Sequence, residues 1–120
     1  MKTESAIAAF AALAQETRLA AFRALIEAGP AGLAAGDVAA RCGASAPVMS
    51  FHLKELVRAD LVKSRRDGRQ VIYAADYVGV RALIDFIMRD CCKADPTCCG
   101  PYTEIAAQRR AKATRREIAG

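Results

Sequence analysis

Apolar residues recur at helical spacing over residues 5–28, which predicts two helices at the start of the chain. The first covers residues 5–14 and is rich in alanine, the strongest helix former. Its apolar face consists of Ile7, Phe10, Ala11 and Ala14. The second runs from Glu16 to Ala28 and ends at Gly29-Pro30. Its predicted apolar stripe consists of Leu19, Phe22, Leu25 and Ile26.

Two shorter helices are predicted next, with a tight turn between them. The third covers about Ala34 to Cys42 and stops at Gly43. Ser45 is a good N-cap for the fourth, which runs to about Ala59, and Pro47 suits its first turn. Its inward side is predicted to hold Met49, Leu53, Leu56 and Val57. Its outward side is predicted to hold Pro47, Val48, Phe51, Lys54, Glu55 and Arg58.

The period of the pattern changes from Leu61 onward. Two extended runs, residues 61–66 and 69–74, flank Asp67-Gly68, which is a strong hairpin signal. A last helix follows, because apolar residues return at helical spacing until Asp95-Pro96 breaks the pattern. Its apolar seam comprises Tyr77, Val80, Ile84, Ile87, Met88 and Cys91. The predicted fold class is mainly α with a β-hairpin (α+β).

The chain has 120 residues, of which 53% are hydrophobic, and its formal net charge is +5. We expect one folded domain over residues 1–100 and a charged tail over 101–120. The excess of basic over acidic residues suits binding to a polyanion such as DNA or RNA. Without a signal peptide or an apolar window of membrane-spanning length, a cytoplasmic protein with no membrane contact is expected. No nucleophile–base pair or glycine-rich phosphate loop indicates an enzyme.

The third and fourth predicted helices form a helix-turn-helix, and the hairpin forms a basic wing beside it. Exposed Val48 and Phe51 make sense in a major groove, where apolar groups touch thymine methyls, although Phe51 could instead pack on a neighbouring helix. Basic side chains would reach phosphates or guanine edges. The predicted DNA-binding residues are Ser45, Pro47, Val48, Ser50, Phe51, His52, Lys54, Arg58, Arg65, Arg66 and Arg69.

Several spaced motifs resemble the ArsR/SmtB family of metalloregulatory repressors over about residues 10–77. They are Leu13-Ala14, Thr17–Leu19, Ser50–Leu56, Ala59–Val62, Arg66–Arg69 and Tyr73. One departure is Asp60, where the family usually has glycine, and we expect it to matter little to function. The resemblance implies a winged helix-turn-helix homodimer, which we expect to pair through the first and last helices, and repression relieved by an inducer.

Four of the five cysteines lie within nine residues, at Cys91, Cys92, Cys98 and Cys99. Clustered thiols in a reducing compartment indicate metal binding or redox chemistry. With no histidine nearby, the site is all-sulfur and selects soft ions. Three thiolates suit trivalent arsenic or antimony, whereas four would suit zinc or cadmium. The fifth cysteine, Cys42, is assigned no role, as a small core residue.

The pair Cys91-Cys92 followed by Cys98 resembles the arsenite-sensing type of the family, with Cys99 as an extra or substitute ligand. That resemblance implies As(III), and Sb(III) as an alternative inducer. Three other readings stay open: zinc or cadmium sensing, a switch based on thiol oxidation, and a metal-buffering thiol protein without a DNA role.

Overall fold

The computed structural model describes residues 1–89, and the cysteine cluster and the charged tail lie outside the described residues. The elements within this range are α1 (Thr3–Leu13), α2 (Glu16–Ala28), β1 (Leu33–Ala34), α3 (Ala35–Cys42), α4 (Ala46–Arg58), β2 (Val62–Asp67), β3 (Gln70–Ala75) and α5 (Tyr77–Met88). Residues 1–83 form one compact unit, and a second unit begins at Ile84. The predicted order of four helices, a hairpin and a further helix is confirmed.

The core lies where α2, α3 and α4 pack on one another and on the hairpin. Its largest fully buried side chains are Leu25, Val38, Met49, Leu53, Leu56, Leu61 and Val62. Burial of these apolar side chains is the main favourable contribution to the free energy of folding. The core therefore fixes the orientation of α4 relative to α3 and the hairpin.

The first helix buries a different face from the one that its large side chains mark. Ala6, Ala9 and Ala12 are buried, and α1 packs through them on α2 and α4. Ile7 and Phe10 are instead 62% and 47% exposed. Small side chains permit a close approach between helices, and the bulky residues are thereby left on the outer side of α1.

The predicted apolar stripe of the second helix is wrong in part. Of its four residues only Leu25 is buried, together with Ala21 and Ala24, whereas Leu19 and Ile26 are exposed. The ends of α2 match the prediction. Gln15 caps its start, because the side-chain Oε1 accepts a hydrogen bond from the Arg18 N–H at 2.7 Å, and Gly29 ends it at a φ of 78°.

The three-stranded antiparallel sheet has the order β1-β3-β2. Strand β1 was not predicted, since two residues carry no periodic pattern; its Leu33 pairs with Tyr73 of β3. In the hairpin, Asp67 pairs with Gln70, so the turn residues are Gly68 and Arg69 rather than the predicted Asp67-Gly68. Gly68 has a φ of 64°, as the first central position of a type II′ turn requires.

Asp60 lies between α4 and the hairpin in the left-handed region, with a φ of 62°. Glycine adopts this conformation without steric cost, which gives the family's usual glycine at this position a physical reason. The Asp60 carbonyl also lies against Gly79 of α5, where any Cβ would overlap it. Asp76 caps α5, with Oδ1 accepting hydrogen bonds from the N–H groups of Val78 and Gly79.

Candidate nucleic-acid interface

A three-residue turn joins α3 to α4. It starts at Gly43, whose φ of 66° is left-handed, and the Ala44 N–H donates to the Ala39 carbonyl at 3.0 Å. Ser45 then caps α4, because its Oγ accepts a hydrogen bond from the Val48 N–H at 3.4 Å. Local chemistry thus sets both the end of α3 and the start of α4.

The inward side of α4 anchors the helix in the core. Met49, Leu53 and Leu56 have no exposed surface, as predicted. Val57 was predicted to share that side, but it is only half-buried. Its helical position lies at the edge of the buried side, one residue beyond Leu56, where the neighbouring elements cover it incompletely.

The outward side of α4 presents both apolar and basic groups to solvent. Val48 and Phe51 are 49% and 58% exposed, and Pro47 and Lys54 are exposed as well. Because Phe51 is exposed in the described unit, the alternative that it packs on a neighbouring helix is not favoured. We call the surface formed by Pro47, Val48, Phe51, Lys54 and Arg58 the recognition surface.

Glu55 lies beside the recognition surface and pairs with Arg58. The Arg58 Nη1 and Glu55 Oε1 atoms are 3.3 Å apart, one turn from each other along α4. The Arg58 side chain is 79% exposed, so water screens much of this attraction. The carboxylate nevertheless offsets part of the positive charge that Arg58 brings to the surface.

Ser50 and His52 are half-buried at the margins of α4. The rings of Phe51 and His52 meet edge-on, with centroids 5.5 Å apart and an interplanar angle of 63°, a favourable geometry for aromatic pairs. The His52 Nδ1 atom is enclosed and has no hydrogen-bond partner among residues 1–89. The edge-on contact thus places the His52 ring directly against Phe51.

The three wing arginines differ in their surroundings. Arg65 pairs with Ile72 and Arg66 with Val71, so their side chains lie on opposite faces of the hairpin. The Arg65 guanidinium donates a hydrogen bond to the Ala31 carbonyl at 2.8 Å, which connects the wing to the loop after α2. Arg69 lies in the turn itself and is exposed.

An open cleft of about 460 Å³ lies between the start of α3, the wing and α4, which we call the recognition helix. Ser50 and Lys54 line it from α4, and Gln70 and Val71 line it from β3. Val71 is the cross-strand partner of Arg66, so Arg66 shares the hairpin face that borders the cleft. Gln70 and Val71 could not be recognised as candidates from the sequence, because only the strand register places them opposite Lys54.

Several apolar side chains outside the recognition surface are exposed. Ile7 and Phe10 lie on α1, and Val78, Ile84 and Ile87 lie on α5. On α5 the buried residue is Leu83, which the predicted seam did not include. Two residues of that seam, Ile84 and Ile87, are exposed.

Of the cysteines, only Cys42 lies in the described part of the chain. It is half-buried at the end of α3, and burial raises the pKa of its thiol. A neutral thiol behaves as a small apolar group. Cys91, Cys92, Cys98 and Cys99 lie outside the described residues. Within residues 1–89, no three His, Cys, Asp or Glu side chains come together as a metal site.

Comparison with known proteins identifies this arrangement of helices and hairpin. A family described as a helix-turn-helix domain matches residues 13–65, which span α2 to most of β2. The ArsR-like transcriptional regulator of Rhodococcus sp. RHA1 is 26% identical and superposes with a TM-score of 0.63, over 97% of this chain and 93% of that one. The protein has a winged helix-turn-helix fold.

Two further solved structures have the same fold. Reduced HlyU from Vibrio cholerae is 29% identical, with a TM-score of 0.58 over 75% of this chain and 92% of that chain. A homodimeric winged helix-turn-helix DNA-binding domain from Mycobacterium bovis, described as a possible ArsR-family transcriptional regulator, is 24% identical. Its TM-score is 0.58, over 72% of this chain and 81% of that one. The search of curated proteins returned no significant match.

In this winged helix-turn-helix fold, α3 and α4 are the two helices of the motif, and the β2–β3 hairpin is the wing. The fold is that of transcription regulators. None of the helices within residues 1–89 is long and apolar enough to cross a membrane.

Proposed function

We propose that this protein is a homodimeric repressor of the ArsR type that binds operator DNA and releases it when trivalent arsenic binds a cysteine cluster. The recognition surface is the observation that supports the proposed binding to operator DNA. It lies on the second helix of a helix-turn-helix, outside the core, and it carries basic and apolar groups together. That helix is the one that enters the major groove in proteins of this architecture.

The charges of the wing and the recognition helix support a DNA partner. Lys54 lines the cleft from α4, and Arg66 lies on the hairpin face that borders it. Two cations on either side of one cleft suit a phosphate backbone running between them. Arg58 and Arg69 add positive charge on the helix and at the tip of the wing.

The exposed apolar faces of α1 and α5 support a homodimer. Ile7 and Phe10 on the one helix, and Ile84 and Ile87 on the other, are large side chains that a second copy of the chain would cover. A dimer presents two recognition helices to half-sites about one helical turn apart. The homodimeric state of the M. bovis neighbour is in keeping with this proposal.

The proposed inducer-binding site is inferred from the sequence alone. Cys91 and Cys92 follow shortly after α5, and Cys98 can complete a three-thiolate site for As(III) or Sb(III), with Cys99 as the alternative third ligand. Because α5 is one of the two helices proposed to pair in the dimer, a ligand bound near its end would alter the spacing of the recognition helices. Coupling of about 1–3 kcal/mol would weaken operator binding about 5- to 150-fold.

A second inducer class follows from the presence of a fourth thiol. Cys91, Cys92, Cys98 and Cys99 together could surround zinc or cadmium in a tetrahedron. The same thiols could instead respond to oxidation. The experiment therefore compares arsenite with these metal ions and with an oxidant.

The test measures binding of the reduced, full-length protein to the DNA upstream of its own gene by fluorescence anisotropy. Arsenite, antimonite, cadmium, zinc and peroxide are added separately. We expect binding without additives and release by arsenite at lower concentration than by the others. The Cys92→Ser variant should bind DNA but ignore arsenite, whereas the matched Cys42→Ser variant should respond normally.

The inducer, the cysteine site and the DNA-binding role would each be contradicted by a different result. Release by cadmium or zinc but not arsenite would replace the proposed inducer and keep the DNA-binding role. A Cys92→Ser variant that still responds would contradict the site assignment. Absence of binding to any DNA would overturn the repressor itself and favour a metal-buffering thiol protein.

A further inference from the structure

We propose that the recognition surface reads DNA through the C5-methyl groups of two adjacent pyrimidines, which Val48 and Phe51 contact in the major groove. Thymine and 5-methylcytosine both carry this methyl group, whereas uracil and cytosine lack it. The inference rests on the proposed function, since it requires that α4 enters the groove. It goes further in assigning one methyl group to each side chain, in placing the two methyl groups on adjacent pyrimidines, and in treating 5-methylcytosine as equivalent to thymine.

The first half of α4 has little capacity to form hydrogen bonds with base edges. The Ser45 hydroxyl is already used to cap the helix. Ser50 lines the cleft beside the wing, where the proposed phosphate contacts lie, and the Nδ1 atom of His52 is enclosed. The groups that remain outward and exposed there are Ala46, Pro47, Val48 and Phe51. Bidentate base reading needs Arg, Lys, Asn or Gln, and the exposed positions before Lys54 hold none of these.

The spacing of Val48 and Phe51 matches two neighbouring base pairs. Residues three apart lie on the same side of a helix, and their axial separation is about 4.5 Å. Successive base pairs are about 3.4 Å apart along a DNA strand. Each side chain can therefore contact the methyl group of a different pyrimidine, and the two pyrimidines are adjacent.

The geometry of the aromatic pair favours a fixed contact. The edge-on packing of His52, with ring centroids 5.5 Å apart, limits the directions that the Phe51 ring can take. A restrained ring loses less conformational entropy when a ligand covers it. Phe51 is therefore a restrained apolar side chain suited to a fixed contact with a base, and not a mobile surface residue.

The charges around this apolar pair identify DNA as its occupant. Lys54 and Arg58 continue the same outward side of α4, and Arg66 lies on the hairpin face that borders the neighbouring cleft. A second copy of this basic surface would place like charges opposite one another, whereas a phosphate backbone on either side of the groove complements them.

The experiment uses duplexes that the full-length reduced protein selects from a randomised library. In the selected duplex, each thymine of a half-site is replaced singly by uracil, which removes only the methyl group. We expect two adjacent positions per half-site at which the Kd rises about fourfold, the factor for one buried methyl-sized group. At those positions cytosine should bind more weakly than 5-methylcytosine by a similar factor.

Variants assign the two methyl groups to their side chains. In Phe51→Ala the uracil effect should vanish at one position, and in Val48→Ala at its neighbour. Both side chains are exposed, so the fold is retained, and thermal unfolding of each variant checks this. The control is Arg66→Ala, which should weaken binding to every duplex and leave the ratio of thymine to uracil affinities unchanged.

Equal affinities for thymine and uracil duplexes at all positions would overturn the inference while leaving the proposed DNA-binding role intact. The same holds if the uracil effect persists in both alanine variants. A shift of Phe51→Ala towards monomer in sedimentation without DNA would show that a second copy occupies this surface, which also overturns it. If no sequence is enriched from the library, the proposed function itself fails.

Discussion

The recognition helix and the wing border the same cleft, but different forces hold them. Three fully buried side chains, Met49, Leu53 and Leu56, anchor α4 in the core, and a capped first turn fixes its start. The base of the wing is also buried in the core, through Val62 and Tyr73, but its outer part is held by its backbone ladder and by the hydrogen bond from Arg65 to the Ala31 carbonyl. The helix is therefore held more rigidly than the outer part of the wing, which presents charge from a hairpin exposed along most of β2.

This difference in rigidity suits the helix and the wing to two different tasks, base discrimination and phosphate binding. Apolar groups on a rigid helix can discriminate between bases, because their contacts depend on position to within a fraction of an ångström. Charges on the wing act over longer distances and tolerate movement, so they suit binding to any phosphate backbone. This division predicts the effects of four substitutions, of which Leu53→Ala has the largest.

Leu53→Ala should lower the free energy of unfolding by about 2–5 kcal/mol, because it leaves a cavity beneath α4. The matched outward variant Phe51→Ala should change it by less than about 0.5 kcal/mol. Denaturant unfolding measures both. Similar losses for the two variants would mean that Phe51 is buried in the folded protein and does not belong to the recognition surface.

Arg66→Ala should weaken DNA binding about tenfold at moderate salt, since a charge-assisted contact to phosphate is lost. The slope of log Kd against log salt should fall by about 1 for each contact removed. Titrations at several salt concentrations measure both quantities. An unchanged slope would exclude Arg66 from the phosphate contacts.

Arg65→Ala should act on the fold of the wing more than on DNA. Loss of the hydrogen bond to the Ala31 carbonyl is expected to lower the unfolding free energy by about 0.5–1 kcal/mol. The salt slope should change less than in Arg66→Ala. The Arg65→Gln variant removes the charge but keeps a side-chain N–H donor; full recovery of stability with it would show that the hydrogen bond matters rather than the charge.

Glu55→Gln should strengthen DNA binding about two- to threefold, the smallest of these effects. The substitution removes a carboxylate next to the recognition surface and releases Arg58 from its 3.3 Å pair. The gain should disappear at high salt, and it should also be absent in an Arg58→Ala background. Weaker binding by Glu55→Gln would indicate that the ion pair orients Arg58 for its contact.

Local signals in the sequence were sufficient to place most helix ends. Gly29 and Gly43 end α2 and α3 with positive φ angles, and Ser45 with Pro47 starts α4. Each of these signals acts within about four residues, so no knowledge of the rest of the chain is needed. The inward residues Met49, Leu53 and Leu56 were also predicted, because they recur with the helical period.

The long-range features could not be predicted in the same way. Strand β1 exists only because Leu33 and Ala34 meet the edge of β3. The one-residue shift of the turn depends on which strand residues pair, and that pairing is set by packing on the core as well as by the turn. The assignment of Gln70 to the cleft beside Lys54 follows from the same register.

The sequence by itself determined the order of the helices and the hairpin, most helix ends, the basic character of the wing and the candidate thiol cluster. Only the tertiary structure decided which apolar faces are covered. It buries the alanines of α1 and leaves Ile7 and Phe10 exposed, and it places Arg66 rather than Arg65 on the hairpin face that borders the cleft. The physical reason is that caps and periodicity depend on neighbours along the chain, whereas burial depends on which surfaces meet in space.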